Sequence, residues 1–206
     1  MTPEYTISAT PEHTISALCQ RSHEISKEKG WVGETDDRPF SAVTSLFHSE
    51  LSEAYEDYRN NKELNETWYE WNGQTFTKAE VAKHKEFEGV LLKPCGIPTE
   101  LADFIIRICQ WIGTNKQTEA FADAFSNIRS NIRSPLYQNF DDFCANAHGL
   151  VSLAYRVLGM RIGVLGSVAA NTFAFCKDYG IDLWAAIDEK EAYNRTRSFR
   201  HGGKKV

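Results

Sequence analysis

The sequence predicts an all-α helical bundle, and three observations carry that expectation. Apolar residues recur at three- and four-residue intervals through most of the 206 residues, as in Phe47, Leu51, Ala54, Tyr55 and Tyr58. Breakers divide these runs at Gly30, Gly96-Ile97-Pro98, Gly113, Pro135 and Gly180. Only one stretch, near residues 67–77, carries a strand signal.

The elements follow in order. Thr10-Pro11-Glu12 supplies a capping residue and then proline at the first helical position, so a helix is expected from there to Gly30. After a polar connector, Pro39 to Asn61 forms a long amphipathic helix. Residues 62–97 read as an insertion. Within it, Asn72-Gly73 between Trp68, Trp71 and Phe76 predicts a β-hairpin, and Thr77-Lys-Ala-Glu80 is a capping box. A strongly apolar helix runs from Pro98 to a stop at Gly113, a moderate one covers 116–132, and two more cover 141–158 and 161–179. Asp182 caps the last helix, which carries Lys190, Asn194 and Arg197. The length suits one domain over 1–206.

Bulk properties narrow the function classes. A net charge of −5 argues against a general nucleic-acid binder. Met1-Thr-Pro-Glu lacks the basic and apolar regions of a secretory signal, and Ile162–Cys176 is too short and too rich in small residues for a membrane span. The five cysteines are scattered without metal-finger spacing, as reduced core thiols of a cytoplasmic protein would be.

An internal likeness is also visible. His48-Ser-Glu-Leu-Ser-Glu-Ala-Tyr55 aligns with His148-Gly-Leu-Val-Ser-Leu-Ala-Tyr155, and Glu100-Leu-Ala-Asp103 with Ser167-Val-Ala-Ala170. Either residues 135–180 include a degenerate repeat whose acids were lost, or two amphipathic helices match by chance.

Chemistry concentrates in two acidic pairs. Glu50 and Glu53 sit roughly 60° apart on their helix, beside its apolar stripe. Glu100 and Asp103 lie on a helix apolar nearly all round, where an uncompensated charge costs several kcal/mol (roughly, per ion). A divalent cation shared by both helices would compensate them, and Mg²⁺ held by carboxylates commonly serves phosphate chemistry. The plainer reading is a solvated acidic face on one helix and an Asp103–Arg107 pair on the other. A di-iron carboxylate site needs Glu-x-x-His, which none of the six histidines completes. The basic last helix and tail, from Lys190 to Lys205, either complement the helix dipole or meet phosphates. His48 and His148 read as bundle histidines.

With these residues in view the chain resembles the MazG-like all-α nucleoside triphosphate pyrophosphohydrolases. The likeness rests on Ser49-Glu50-Leu-Ser-Glu53 and Glu100-Leu-Ala-Asp103, preceded by Glu28-Lys-Gly-Trp31 and by Lys93-Pro-Cys-Gly-Ile-Pro98. It resumes at Gly180-Ile-Asp182 and at Glu189-Lys190-x-x-Tyr193-Asn194-x-Thr196-Arg197, ending on His201-Gly202. Two departures stand out: Ser49 replaces the first acid of the family doublet, and residues 114–179 separate motifs that the family keeps closer. The resemblance implies a Mg²⁺-dependent enzyme (Mn²⁺ as substitute) that cleaves a nucleoside triphosphate to monophosphate and pyrophosphate, keeping house in the nucleotide pool. Glu50, Glu53, Glu100 and Asp103 would be the metal ligands, with Glu53 the base for water. Lys190, Asn194, Arg197, His201 and Trp31 would hold substrate. A homodimer or higher homo-oligomer is implied, without nucleic acid or membrane partners. The competing reading is a non-catalytic dimerisation or regulatory module that binds nucleotide without cleaving it.

Overall fold

Thr14 opens the first helix, its hydroxyl accepting the Ala17 N–H at 3.2 Å. The computed structural model describes residues 12–200, so Thr10, Pro11 and His201 lie outside the described residues. The expected start is corrected nonetheless: Glu12 and His13 are not helical, and α1 spans Ile15–Glu28. Its buried face, Ile15, Leu18, Cys19, Ser22 and Ile25, begins where Thr14 caps. At the other end Gly30 adopts φ +74°, as expected of a closing glycine. Its N–H bonds Lys27 O and that of Trp31 bonds Ser26 O, a Schellman closure that fixes where Trp31 begins its path.

α2 covers Phe40–Arg59. The hairpin follows as β1 (Trp68–Trp71) and β2 (Gln74–Thr77), with Asn72 and Gly73 both at positive φ between them. The capping box is formed too: the Thr77 N–H reaches Glu80 Oε2 at 2.7 Å, and α3 occupies only Lys78–Val81. A third strand, β3 (Lys93–Cys95), pairs antiparallel with β1 on its free side, giving the order β2-β1-β3. Three residues with a central proline show no alternation to read, and an edge is where a sheet tolerates proline. Tyr69, Phe87 and Leu92 form a separate small core beneath this sheet.

α4 spans Ile97–Thr114. Gly113 does not stop it; the closure uses Lys116 at φ +58°, whose N–H bonds Gly113 O. Gly113 serves packing instead. A Cβ there would lie 2.3 Å from Cys19 O, so this glycine lets α1 and α4 approach. The remaining helices are α5 (Thr118–Asn131), α6 (Phe140–Arg156), α7 (Arg161–Asp178) and α8 (Leu183–Thr196). Asp182 caps α8 as expected, accepting the Ala185 N–H at 3.1 Å.

Two trios organise these helices. α4 is packed by α1 and α2, and α7 by α5 and α6; α2 and α6 then meet across the joint, and α8 lies on α4. The core is continuous through both trios, from Leu101, Phe104 and Ile108 on α4 to Phe143 and Phe175. Each such side chain contributes about 1.5–3 kcal/mol on burial. At the joint His48 Nδ1 and His148 Nδ1 approach to 2.8 Å with rings stacked, so both are bundle histidines. The stretch 158–178 is long and apolar enough to cross a membrane by composition, yet α7 buries Leu165, Val168, Phe173 and Phe175 inside this bundle. All five cysteines are free and buried.

Candidate functional site

α4 carries more than an apolar surface. Glu100, Asp103, Arg107, Gln110 and Thr114 follow one another at steps of three and four, a single polar stripe along an otherwise buried helix. α2 faces the start of this stripe with Glu50, and α8 with Lys190. Glu50, Glu100 and Asp103 each offer an oxygen within 4.8 Å of the other two. Glu50 and Glu100 are only 4% and 9% exposed, so their charges stand largely outside bulk water. Glu53, one turn further on α2, is exposed and lies outside this triad; it lines the same cavity and accepts a 3.0 Å bond from Ser49 Oγ.

Cations from two helices answer the acids. Arg107 bonds Glu50 through Nε, and Lys190 Nζ reaches Asp103 Oδ2 at 2.7 Å. The expected Asp103–Arg107 pair is therefore not the arrangement found. Glu50, brought in from α2, takes the arginine, and α8 supplies Asp103 with Lys190, itself 4% exposed. Compensation is still incomplete. Burial pushes the Glu100 carboxyl up to about 8, Lys190 pulling it down while Asp103, Glu50 and Glu53 push it further. Burial likewise raises Glu50 to about 7 against the pull of Arg107.

The acids line a cavity whose other walls include Trp31, Lys93, Arg107, Lys190 and Arg197. Behind Trp31 it adjoins a second cavity, lined by Ser22, Ser26, Arg38, Gln110 and Asn194, with Asp103, Arg107 and Arg197 common to both. Asn194 Oδ1 is buried with no hydrogen-bond partner. Gln110 is held on both sides: its Oε1 accepts from Arg38 Nη2 at 2.9 Å, and its Nε2 donates to Thr114 Oγ1 at 3.2 Å. Arg38 in turn grips the fully buried Asp36 carboxylate with two bonds, at 2.8 and 2.7 Å. Burial acts to raise the Asp36 carboxyl, and the Arg38 bonds outweigh it and hold the carboxyl below its ordinary value.

The last described residues brace the loop that carries Trp31. The Arg200 N–H donates to Lys29 O and its Nε to Gly30 O, both at 2.9 Å, while the Phe199 ring lies on Gly30.

Of the residues expected from the sequence, Glu50, Glu53, Glu100, Asp103, Lys190, Arg197 and Trp31 thus line one cavity, and Asn194 the adjoining one. Arg38 and Gln110 complete these walls without having been expected there, Arg107 having been expected only as the partner of Asp103 and Lys93 only within the motif before α4. For Arg107 and Gln110 the signal was present, as polar positions spaced evenly along α4. For Arg38 and Lys93, placed by a loop and an edge strand, no periodicity existed to read. Trp68 and Trp71 line neither cavity; Trp68 sits beneath Lys62, and Trp71 packs on Phe87. Comparison with protein-family models, with curated proteins and with solved structures finds no match to this chain.

Proposed function

We propose that this chain is a Mg²⁺-dependent nucleotide pyrophosphohydrolase of the MazG-like type, converting a (d)NTP to (d)NMP and pyrophosphate in the cytoplasmic nucleotide pool. One observation carries the reading: three carboxylate oxygens from two helices converge within 4.8 Å in a cavity walled by cations. The donor set is all hard oxygen, which suits Mg²⁺ or Mn²⁺. Oxygens sharing one octahedral ion lie about 3 to 4 Å apart, so a small contraction suffices. Carboxyls raised to about 8 and about 7 are also groups that a divalent ion would convert to full ligands. Bound by Glu50, Glu100 and Asp103, the ion would neutralise non-bridging phosphate oxygens and orient the triphosphate for in-line attack.

The chain's own groups account for the rest. Arg107, Lys190 and Arg197 line the cavity in which the phosphates would lie, and the first two would be free to meet them once an ion held their carboxylates. Glu53 stands exposed at that cavity, oriented by Ser49, where it can take a proton from water attacking the α-phosphorus. The bond from that phosphorus to the bridging oxygen then breaks and pyrophosphate leaves. The adjoining cavity suits the nucleoside, with the Trp31 ring as one wall and the unpartnered Asn194 oxygen as a polar contact.

We also infer that α6 and α7, within 135–180, are a degenerate copy of α2 and α4. The central places of α4 and α7 support it, as does the meeting of His48 with His148. Such a copy would occupy the place that a second subunit takes in the expected homodimer, leaving one site per chain.

A second reading, the non-catalytic module, draws on the Arg107–Glu50 and Lys190–Asp103 pairs, which compensate two of the acids without an ion. Pyrophosphate release from a panel of (d)NTPs, with and without Mg²⁺, separates the two. The enzyme gives metal-dependent release that Glu100→Gln abolishes; nucleotide binding with no release favours the module.

A further inference from the structure

The sheet between α2 and α4 in the chain has no part in the reading above, yet it brings a cation to the site. Lys93 lies on β3 opposite Glu70 of β1, and its ammonium bonds Glu70 Oε2 at 2.6 Å. It also lines the acidic cavity with Glu50, Glu53 and Glu100. Gly96 fixes this placement. It turns the chain from β3 into α4 at φ +116°, and a Cβ there would meet the Glu66 carbonyl oxygen at 2.4 Å. The sheet is therefore pressed against the start of the helix that carries Glu100.

Lys93 differs from Arg107 and Lys190 in its partner. Those two are bound to acids of the cluster, whereas Lys93 is held by a carboxylate outside it. Both members of the Lys93–Glu70 pair are well exposed, at 45% and 42% of their side chains. An exposed cross-strand pair of this kind contributes little to stability, so exchanging it costs little. A phosphate group offers a lysine more charge and more acceptor oxygens than one carboxylate. Burial works against the ammonium, and the Glu70 bond, with Cys95 and Glu100 nearby, outweighs it and keeps the group charged.

We propose that Lys93 is a phosphate-binding residue of this site, parked on Glu70 and transferred to the β- and γ-phosphates of a bound triphosphate. This rests on the pyrophosphohydrolase reading and adds to it a role for the insertion: the 62–97 segment supplies affinity for the part of the substrate that departs.

The test compares two substitutions that break the same pair. Calorimetric titration with α,β-imido analogues of the common dNTPs plus Mg²⁺, with the corresponding dNMPs and with Mg²⁺ alone, is run on the native chain, Lys93→Gln and Glu70→Gln. Lys93→Gln is expected to weaken the triphosphate analogue about tenfold or more, with monophosphate and Mg²⁺ affinities unchanged. Glu70→Gln keeps the cation and is expected to bind the analogue as tightly as the native chain or tighter. Equal analogue affinity for Lys93→Gln and the native chain overturns the assignment. So does an equal loss in both variants, which would make the pair a support for the sheet alone. If the native chain binds no analogue at all, the pyrophosphohydrolase reading itself falls, and the role of Lys93 with it.

Discussion

The trio of α1, α2 and α4 and the trio of α5, α6 and α7 have the same pattern of helix contacts but carry different residues at sequence-aligned positions. Where α2 and α4 present Glu50, Glu53, Glu100 and Asp103, α6 and α7 present Leu150, Leu153, Ser167 and Ala170. The second set lets a helix trio form with no charge inside it. The first set places carboxyls where burial drives two of them to about 7 and about 8. Ion pairs with Arg107 and Lys190 compensate Glu50 and Asp103 in part, but the raised Glu50 and Glu100 carboxyls remain a cost to folding that the metal-site proposal would explain.

Substitution at the acids should break that contrast most strongly. Glu100→Gln and Asp103→Ala are each expected to lower pyrophosphate release about 10²–10³-fold. Their effects on stability should be opposite. Glu100→Gln removes a poorly compensated carboxyl and should raise Tm at pH 8 without added metal. Asp103→Ala strands Lys190, which is 4% exposed, and should cost on the order of 3 kcal/mol. Calorimetric melting of both variants checks the signs.

The pH dependence of stability sharpens the same contrast. Glu50 and Glu100 have folded pKa values above their ordinary ones, so these two groups hold more protons in the folded chain than in the unfolded one between about 4.5 and about 8, and the lowered His48 and His148 oppose them only in part. Stability without metal should therefore fall as pH rises through that window, by on the order of a few kcal/mol. Mg²⁺ added at pH 8 should recover the loss with release of protons, and Glu100→Gln should flatten the slope. Melting curves at pH 5 to 8, with EDTA or with Mg²⁺, give the answer.

Each trio has a glycine at a close helix crossing, though at opposite ends of α4 and α7 and so not at aligned positions. Gly113 closes the α1–α4 crossing, and Gly166 does the same for α5 and α7, a Cβ there falling 2.8 Å from Ala124 Cβ. Alanine at either position should destabilise by about 1–3 kcal/mol, with the larger loss at Gly113, where the obstacle is backbone. Gly149, exposed on α6 with nothing in reach of a Cβ, should behave oppositely. Gly149→Ala is expected to stabilise by about 0.4–1 kcal/mol in denaturant titration.

Much of this arrangement could be read before any coordinates, for local reasons. Asp182, the Thr77–Glu80 box, the Asn72-Gly73 turn and Gly30 act through neighbours in sequence, and all four behave as expected. The two acidic pairs were legible because i, i+3 spacing fixes a common face. Their compensation was not. Arg107 chooses Glu50 over Asp103 because α8 delivers Lys190 to Asp103, and nothing local states that α8 packs on α4. Gly113 was read as a stop because a glycine near a helix end usually is one. The nearness of Cys19 O, which explains it, depends on a residue of another helix. β3 escaped because three residues cannot display a period.

The central claim is that α2 and α4 aim Glu50, Glu100 and Asp103 at one divalent ion. A crystal of the native chain soaked in Mn²⁺ tests it most directly, through the anomalous signal of the ion. The account predicts one or more peaks within about 2.0–2.3 Å of oxygens from both helices, with Arg107 or Lys190 drawn away from its carboxylate. A map with no peak there, both ion pairs intact at saturating Mn²⁺, would contradict it.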